Sequence, residues 1–137
     1  MFARRARDLW FIQEQANIGI ADCVEDAIRR GVEYKVIFPC DIVPSEHYVK
    51  YIRTWKPGHP MLSKKAERRY LPSLPLSLML SDKEVAQIAF PTVEGKMDYQ
   101  GFKSRDDEAR KWCRDVFVYS WGHATEKAPD AIVEILA

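Results

Sequence analysis

Residues 68–90 read RRYLPSLPLSLMLSDKEVAQIAF. Leu76, Leu78 and Leu80 alternate with Pro75, Ser77 and Met79, and a period of two belongs to a strand rather than a helix. Ser81-Asp82-Lys83-Glu84 then supplies a corner, because aspartate tolerates left-handed backbone and hydrogen-bonds its own chain. Val85, Ile88 and Phe90 carry the return strand. Pairing Leu80 with Val85 and Leu76 with Ala89 sets Gln87 among the leucines. It sends Ile88 and Phe90 to the other face, with Ser77 and Pro75. Apolar side chains on both faces imply a sheet covered on both sides, with neither strand at an edge. Pro75 has no N–H to give a ladder and belongs at a strand start.

Working upstream, residues 8–13 (DLWFIQ) form a compact aromatic run that reads as a first strand. A helix is the alternative, since Leu9, Ile12, Ala16 and Ile20 also fit a helical spacing. Asn17 caps a helix that reaches Arg30. Its stripe is Ile20, Cys23, Val24, Ala27 and Ile28, and Gly31 stops it after Arg29-Arg30. Residues 32–38 (VEYKVIF) are β-branched and aromatic, hence a second strand. Strand, helix and strand in succession imply a parallel, right-handed crossover. Ser45 caps a helix through Trp55 with Val49, Ile52 and Trp55 inward. Residues 56–65 (KPGHPMLSKK) are a loop, and residues 66–71 are strand three. Downstream, residues 92–104 read as irregular, with a turn at Glu94-Gly95 and an extended piece from Met97 to Phe102. Ser104 caps a long helix whose first turn holds Asp106, Asp107 and Glu108, where negative charge suits the helix dipole. Ala109, Trp112, Cys113, Val116, Phe117 and Ser120 make its expected buried stripe, and Gly122 its end. Trp10 and Phe11 are further core candidates. A short helix starts at Pro129.

Composition narrows the function classes. The 137 residues suit a single domain, residues 8–137, behind a basic linker or tail at residues 1–7 that holds Arg4, Arg5 and Arg7. With 21 basic and 20 acidic residues the net charge is +1, which argues against binding DNA by phosphate neutralisation alone. Cys23, Cys40 and Cys113 are odd in number and far apart, and read as reduced cytosolic thiols. No apolar run reaches the roughly 20 residues of a membrane helix. A cytoplasmic protein is expected, with no membrane partner.

Three segments carry a resemblance. AIRRGVEYKVIF looks like a helix-to-strand junction, and LPLSLMLSDKEVAQIAFP like a strand followed by an aspartate corner, both shared by phospholipase D-like domains. The order strand-helix-strand-helix-strand-hairpin-helix is that of one half of such a domain. GKMDYQGFKSRDDEARKWCRDVFVYSW resembles the closing segment of sensor domains from archaeal winged-helix transcriptional regulators, the methanogenesis-regulator-like and TrmB-like proteins. The resemblance spans about residues 8–124. It implies an α/β fold, a phospholipase D-like half domain with a mixed sheet and helices on both faces. It also implies a regulatory, small-molecule-sensing, dimerising module of a transcription factor. DNA would be read only through a winged helix of roughly 60 to 80 residues that this chain lacks. The chain is then a fragment of a longer regulator or a stand-alone sensor.

Active members use His-x-Lys-x-x-x-x-Asp, with histidine as nucleophile and lysine on phosphate. Counting back from Asp82 places Pro75 and Ser77 at those positions. Proline offers no nucleophile, so no catalytic residue, enzyme activity or cofactor is expected. Arg69, Tyr70, Ser77 and Met79 lie on or near the face where the parent fold holds substrate, and these are the expected ligand contacts. An arginine fork there would favour an anionic or polyol ligand. His47, His59 and His123 match no metal-ligand spacing with Cys40 or Cys113. Two other classes stay open. One is a divergent phosphodiesterase that rebuilt a site from Arg69, Asp98 or His59. The other is a dimerisation module with no ligand.

Overall fold

The computed structural model describes residues 6–136. Six strands form one mixed sheet in the order β3-β2-β1-β4-β5-β6. They are β1 (Asp8–Ile12), β2 (Glu33–Pro39), β3 (Ala66–Leu71), β4 (Ser77–Ser81), β5 (Val85–Pro91) and β6 (Met97–Ser104). The helices are α1 (Ala21–Arg29), α2 (Glu46–Arg53), α3 (Asp107–His123) and α4 (Asp130–Leu136). β1, β2 and β3 run parallel, while β4, β5 and β6 are antiparallel to their neighbours. The hairpin of the opening stretch, β4 and β5, therefore sits inside the sheet, and β3 and β6 take its two edges.

Local chemistry sets the element ends. The Asn17 side chain accepts from Gly19 N (2.8 Å) in a single 3₁₀ turn that leads into α1. Gly31 has φ of 96°, a left-handed value that lets the chain leave α1 and enter β2. Ser45 caps α2 by accepting from Tyr48 N (3.2 Å). The cap of α3 is Asp106, which accepts from Glu108 N. Ser104, the expected cap, instead ends β6 and accepts from Asp106 N. Gly122 does not stop α3, which runs on to His123 before Ala124 turns extended.

Two cores lie on the two faces. Leu9, Phe11, Val36 and Phe38 face α1, α2 and α4, where Val24, Ala27, Ile28 and Ile132 cover them. Ile12, Ile37, Leu78, Leu80 and Val85 face α3, which presents Cys113 and Phe117. In α2 the buried residues are Tyr48 and Ile52, and Trp55 packs from the side. Phe117 is stacked between Trp10 (5.0 Å) and Trp121 (5.6 Å), with Lys35 Nζ over both indoles. Trp112, expected in the core, is 51% exposed. It lies one step off the Cys113/Phe117/Ser120 line, and 100° per residue carries it past the sheet.

The β4–β5 pairing differs from the expected register. Leu80 opposes Val85, but a bulge at Ala86 then sets Met79 against Gln87, Leu78 against Ile88 and Ser77 against Ala89. One extra residue inverts the faces. Ile88 joins the leucines over α3, and Gln87 goes to the Ser77–Met79 side. A second irregularity, in β6, sets Tyr99, Gln100 and Gly101 against Ala89 alone. Gly101 has φ of 27°, and a Cβ there would lie 2.5 Å from the Ile88 carbonyl oxygen.

The corner after β4 is held by Ser81, whose hydroxyl accepts from Lys83 N and Glu84 N. Asp82 looks elsewhere and accepts from Arg7 N (2.8 Å), tying the chain start to the corner. Ala6 is also buried; Arg4 and Arg5 lie outside the described residues. Asp8 sits beside this corner, and its carboxyl is pushed above the usual range by burial and then by Asp82 and Glu33. A carboxyl raised in the folded state weakens folding once pH exceeds its unfolded value. Asp8→Asn is therefore expected to raise the melting temperature at neutral pH. The gain shrinks as pH falls through the native Asp8 pKa, which calorimetry across pH checks.

Among the described residues no helix is long and apolar enough to cross a membrane.

A candidate ligand cavity at the end of the first strand

β1 is where the sheet changes direction: the chain leaves it for β2 and β3 on one side, and β4 lies on the other. Crevices at the carboxyl end of such a strand are the usual ligand sites of α/β sheets. Residues 13–17 (QEQAN) leave β1 at that end. Antiparallel β4 brings its first residue, Ser77, alongside. A cavity of about 400 Å³ opens there, within the range of small-molecule sites. Ser77 and Met79 of β4, Gln87 of β5 and Tyr99 of β6 line it from the sheet. Gln13 to Ile18 and Ser45 line it from the loops.

The two irregularities build this lining. The Ala86 bulge brings Gln87 opposite Met79, and Tyr99 lies in the three-residue bulge of β6. The Tyr99 hydroxyl donates to Glu14 Oε1 (2.9 Å), joining the edge strand to the β1 loop. Burial, then the Glu14 hydrogen bond and charge, push the Tyr99 pKa up to about 12. Asn17 and Ser45 spend their side-chain acceptors on their own caps. The amides of Gln13, Gln15 and Gln87 and the Ser77 hydroxyl make no side-chain hydrogen bond among the described residues. Among the described residues no lysine or arginine lines the cavity.

Of the four expected contacts, the cavity brings together Ser77 and Met79. Tyr70 is buried on β3, where its backbone pairs with Thr125. Arg69 points to the α3 face, where its guanidinium donates to the Trp121 carbonyl (2.8 Å), pairs with Glu126 and covers the Trp121 ring. Arg68 takes the other face and donates to the Met61 carbonyl (2.8 Å) beside Trp55. Sequence reasoning missed Glu14, Tyr99 and the amides of residues 13–17. The available signal was a polar run directly after an apolar strand at a switch in strand order.

Arg69, Asp98 and His59, the residues of the alternative enzyme, do not assemble. β3 and β6 are the opposite edges of the sheet, about 24 Å apart at the usual strand spacing. His59 belongs to another cluster. Its Nδ1 accepts from Met61 N (3.1 Å), so Nε2 carries the proton toward Glu25 Oε1 (2.8 Å). The Tyr51 hydroxyl donates to the same buried carboxylate, and Trp55 stacks on the imidazole. This group staples α1, α2 and the following loop. Glu25→Ala would leave two partly buried donors, the Tyr51 hydroxyl and His59 Nε2, without an acceptor, at about 1–2 kcal/mol each. A loss of about 2–4 kcal/mol in urea unfolding is the expected result. No group of three His, Cys, Asp or Glu among the described residues could hold a metal ion.

No family model and no curated protein matches the sequence. Among solved structures the fold is similar to TrmBL2, described as an archaeal chromatin protein with a novel mode of DNA binding. The TM-score is 0.65 at 17% sequence identity, over 91% of this chain and 47% of that one. The chain thus spans about half the length of this neighbour, and the likeness is one of fold.

Proposed function

We propose that the domain is the regulatory module of an archaeal transcriptional regulator, a phospholipase D-like half domain that recognises a small molecule and does not hydrolyse it. The observation that carries this reading is the cavity at the end of β1, with Ser77 on its floor where the active motif has lysine. Pro75 stands at the nucleophile position and is exposed. A floor that lacks both the histidine and the lysine of the active motif supports binding without reaction. The fold of TrmBL2, described as binding DNA, supports a place beside DNA. DNA reading belongs to a winged helix elsewhere in the regulator, and the protein works in the cytoplasm.

The module acts as a homodimer. One flank of α3 carries Arg114, over Trp10 of β1, and Trp121, beside Lys35 of β2 and Arg69 of β3. The opposite flank carries Trp112 and Tyr119, on the side of β5 and β6. There Phe90 and Phe102 extend the same face, and all four side chains are exposed. An apolar face of this kind marks an interaction surface. Ligand binding then favours one arrangement of two copies and, through it, one spacing of the DNA-reading domains.

Two measurements test this. Light scattering should give a dimer mass for the chain and a monomer mass for Phe102→Asp. A small-molecule panel should raise the melting temperature while bis(p-nitrophenyl) phosphate stays intact. Hydrolysis lost in Ser77→Ala would make the domain an enzyme. A dimer indifferent to every compound would make it a bare assembly module.

A further inference from the structure

Within the proposed sensing cavity, and resting on that reading, the lining has one charged side chain among the described residues, Glu14. It is half-buried and makes no ion pair among the described residues. Its one hydrogen-bond partner there is the Tyr99 hydroxyl, which occupies Oε1. Oε2 makes no hydrogen bond among those residues, so the carboxylate is fixed in place with half of its acceptor capacity open. The nearby groups are of matching character. Tyr99 adds an aromatic ring and Met79 a thioether. Gln13, Gln15 and Gln87 add amide oxygens that can turn inward. A negative charge held beside an aromatic ring and amide oxygens, with no competing cation, is a receptor for an ammonium group. A phosphate or carboxylate ligand would face Glu14 with nothing to neutralise it.

We propose that the cavity takes a small organic amine, with the ammonium seated on Glu14 and the remaining polar groups of the ligand on Ser77 and the glutamine amides. This departs from the anionic or polyol ligand that an arginine fork would have favoured, because Arg69 lies on the other face of the sheet. Tyr99 is a positioning residue in this arrangement: it holds the carboxylate and does not itself carry the charge recognition.

Two matched series test the inference by titration calorimetry on the whole chain. One is putrescine, 1,4-butanediol and succinate; the other is glucosamine, glucose and glucose 6-phosphate. Within each series the skeleton stays the same and the charge changes. At least one amine is expected to saturate the site, its neutral twin to bind at least about tenfold more weakly, and its anionic twin not at all. Glu14→Gln should bring the amine to the level of its neutral twin while the melting temperature of the free protein stays put. Tyr99→Phe should weaken the amine by a smaller factor, about threefold, because the carboxylate remains but is no longer held. Equal binding of neutral and amine twins, tighter binding of an anion, an unchanged Glu14→Gln variant, or no binding by any of the six would overturn it. If a neutral twin binds as well as the amine and Gln87→Trp removes both, the amine inference fails and the sensing cavity stands. If a broad metabolite panel also finds no ligand, both fail.

Discussion

Phe117→Ala should lower the unfolding free energy by about 3–5 kcal/mol, the usual range for deleting a buried aromatic ring. Phe117 is 1% exposed and fills the space between Trp10 and Trp121. Its loss leaves a void under α3, the helix that covers Leu78, Leu80 and Val85. The damage extends past the void. Lys35 sits over both indoles and Arg69 over one of them, and the rings keep those places because Phe117 spaces them. A domain of this size has roughly 5–15 kcal/mol in total, so much of its stability is at stake. The control is Trp112→Ala, on the outer side of the same helix. It should leave the urea midpoint of the monomer almost unchanged and act on dimer mass instead. A small effect of Phe117→Ala, or a large one of Trp112→Ala, would show that α3 packs by another face.

Gly101→Ala is expected to cost about 1–3 kcal/mol, the scale of local backbone strain, and to impair the cavity as well. A methyl group there meets the Ile88 carbonyl oxygen, which belongs to the ladder and has little room to retreat. Relieving the clash displaces the β6 bulge that contains Tyr99. The Tyr99–Glu14 hydrogen bond should then weaken, and with it the high Tyr99 pKa, which depends partly on that bond. Absorbance titration of tyrosinate reads this: one tyrosine ionises earlier in Gly101→Ala than in the parent. Gly122→Ala is the matched control. A Cβ at Gly122 meets open space, and in a helix alanine is the better residue.

These two residues show which parts of the molecule were legible from its sequence. Phe117 was: a helical stripe with an acidic first turn says which side is buried, and the alternation of Leu76, Leu78 and Leu80 says that a sheet receives it. Trp112 was not, because large apolar side chains one step off a stripe look the same as those on it, and only packing separates them. Gly101 was invisible as a bulge. A sequence period of two assumes an unbroken ladder, and each irregularity resets which face the next residue takes. That is why Leu80–Val85 came out right while Ile88 and Gln87 exchanged sides. The cavity suffered most from this. Ser77 and Met79 lie before the bulge in β5 and were placed correctly on one face. The resemblance puts Arg69 and Tyr70 on or near the substrate face, but Arg69 falls on the α3 face, while Tyr70 shares the Met79 face and is buried on β3, with β2 and β1 between it and β4. Tyr99 and Glu14, 85 positions apart, meet through tertiary structure that no local pattern encodes.

The reading of the domain as a receptor without catalysis stands or falls with the crevice at the end of β1. Its most direct test is the melting temperature of the parent and of Gln87→Trp, each measured against the same panel of small molecules. Gln87 is half-buried and faces the cavity, so an indole there fills the space with little disturbance to either core. At least one compound should stabilise the parent, by about 2.7 kcal/mol at a hundredfold excess over its Kd, and leave Gln87→Trp unmoved. A shift of equal size in both proteins, or none in the parent, would place ligand recognition elsewhere or remove it from this domain.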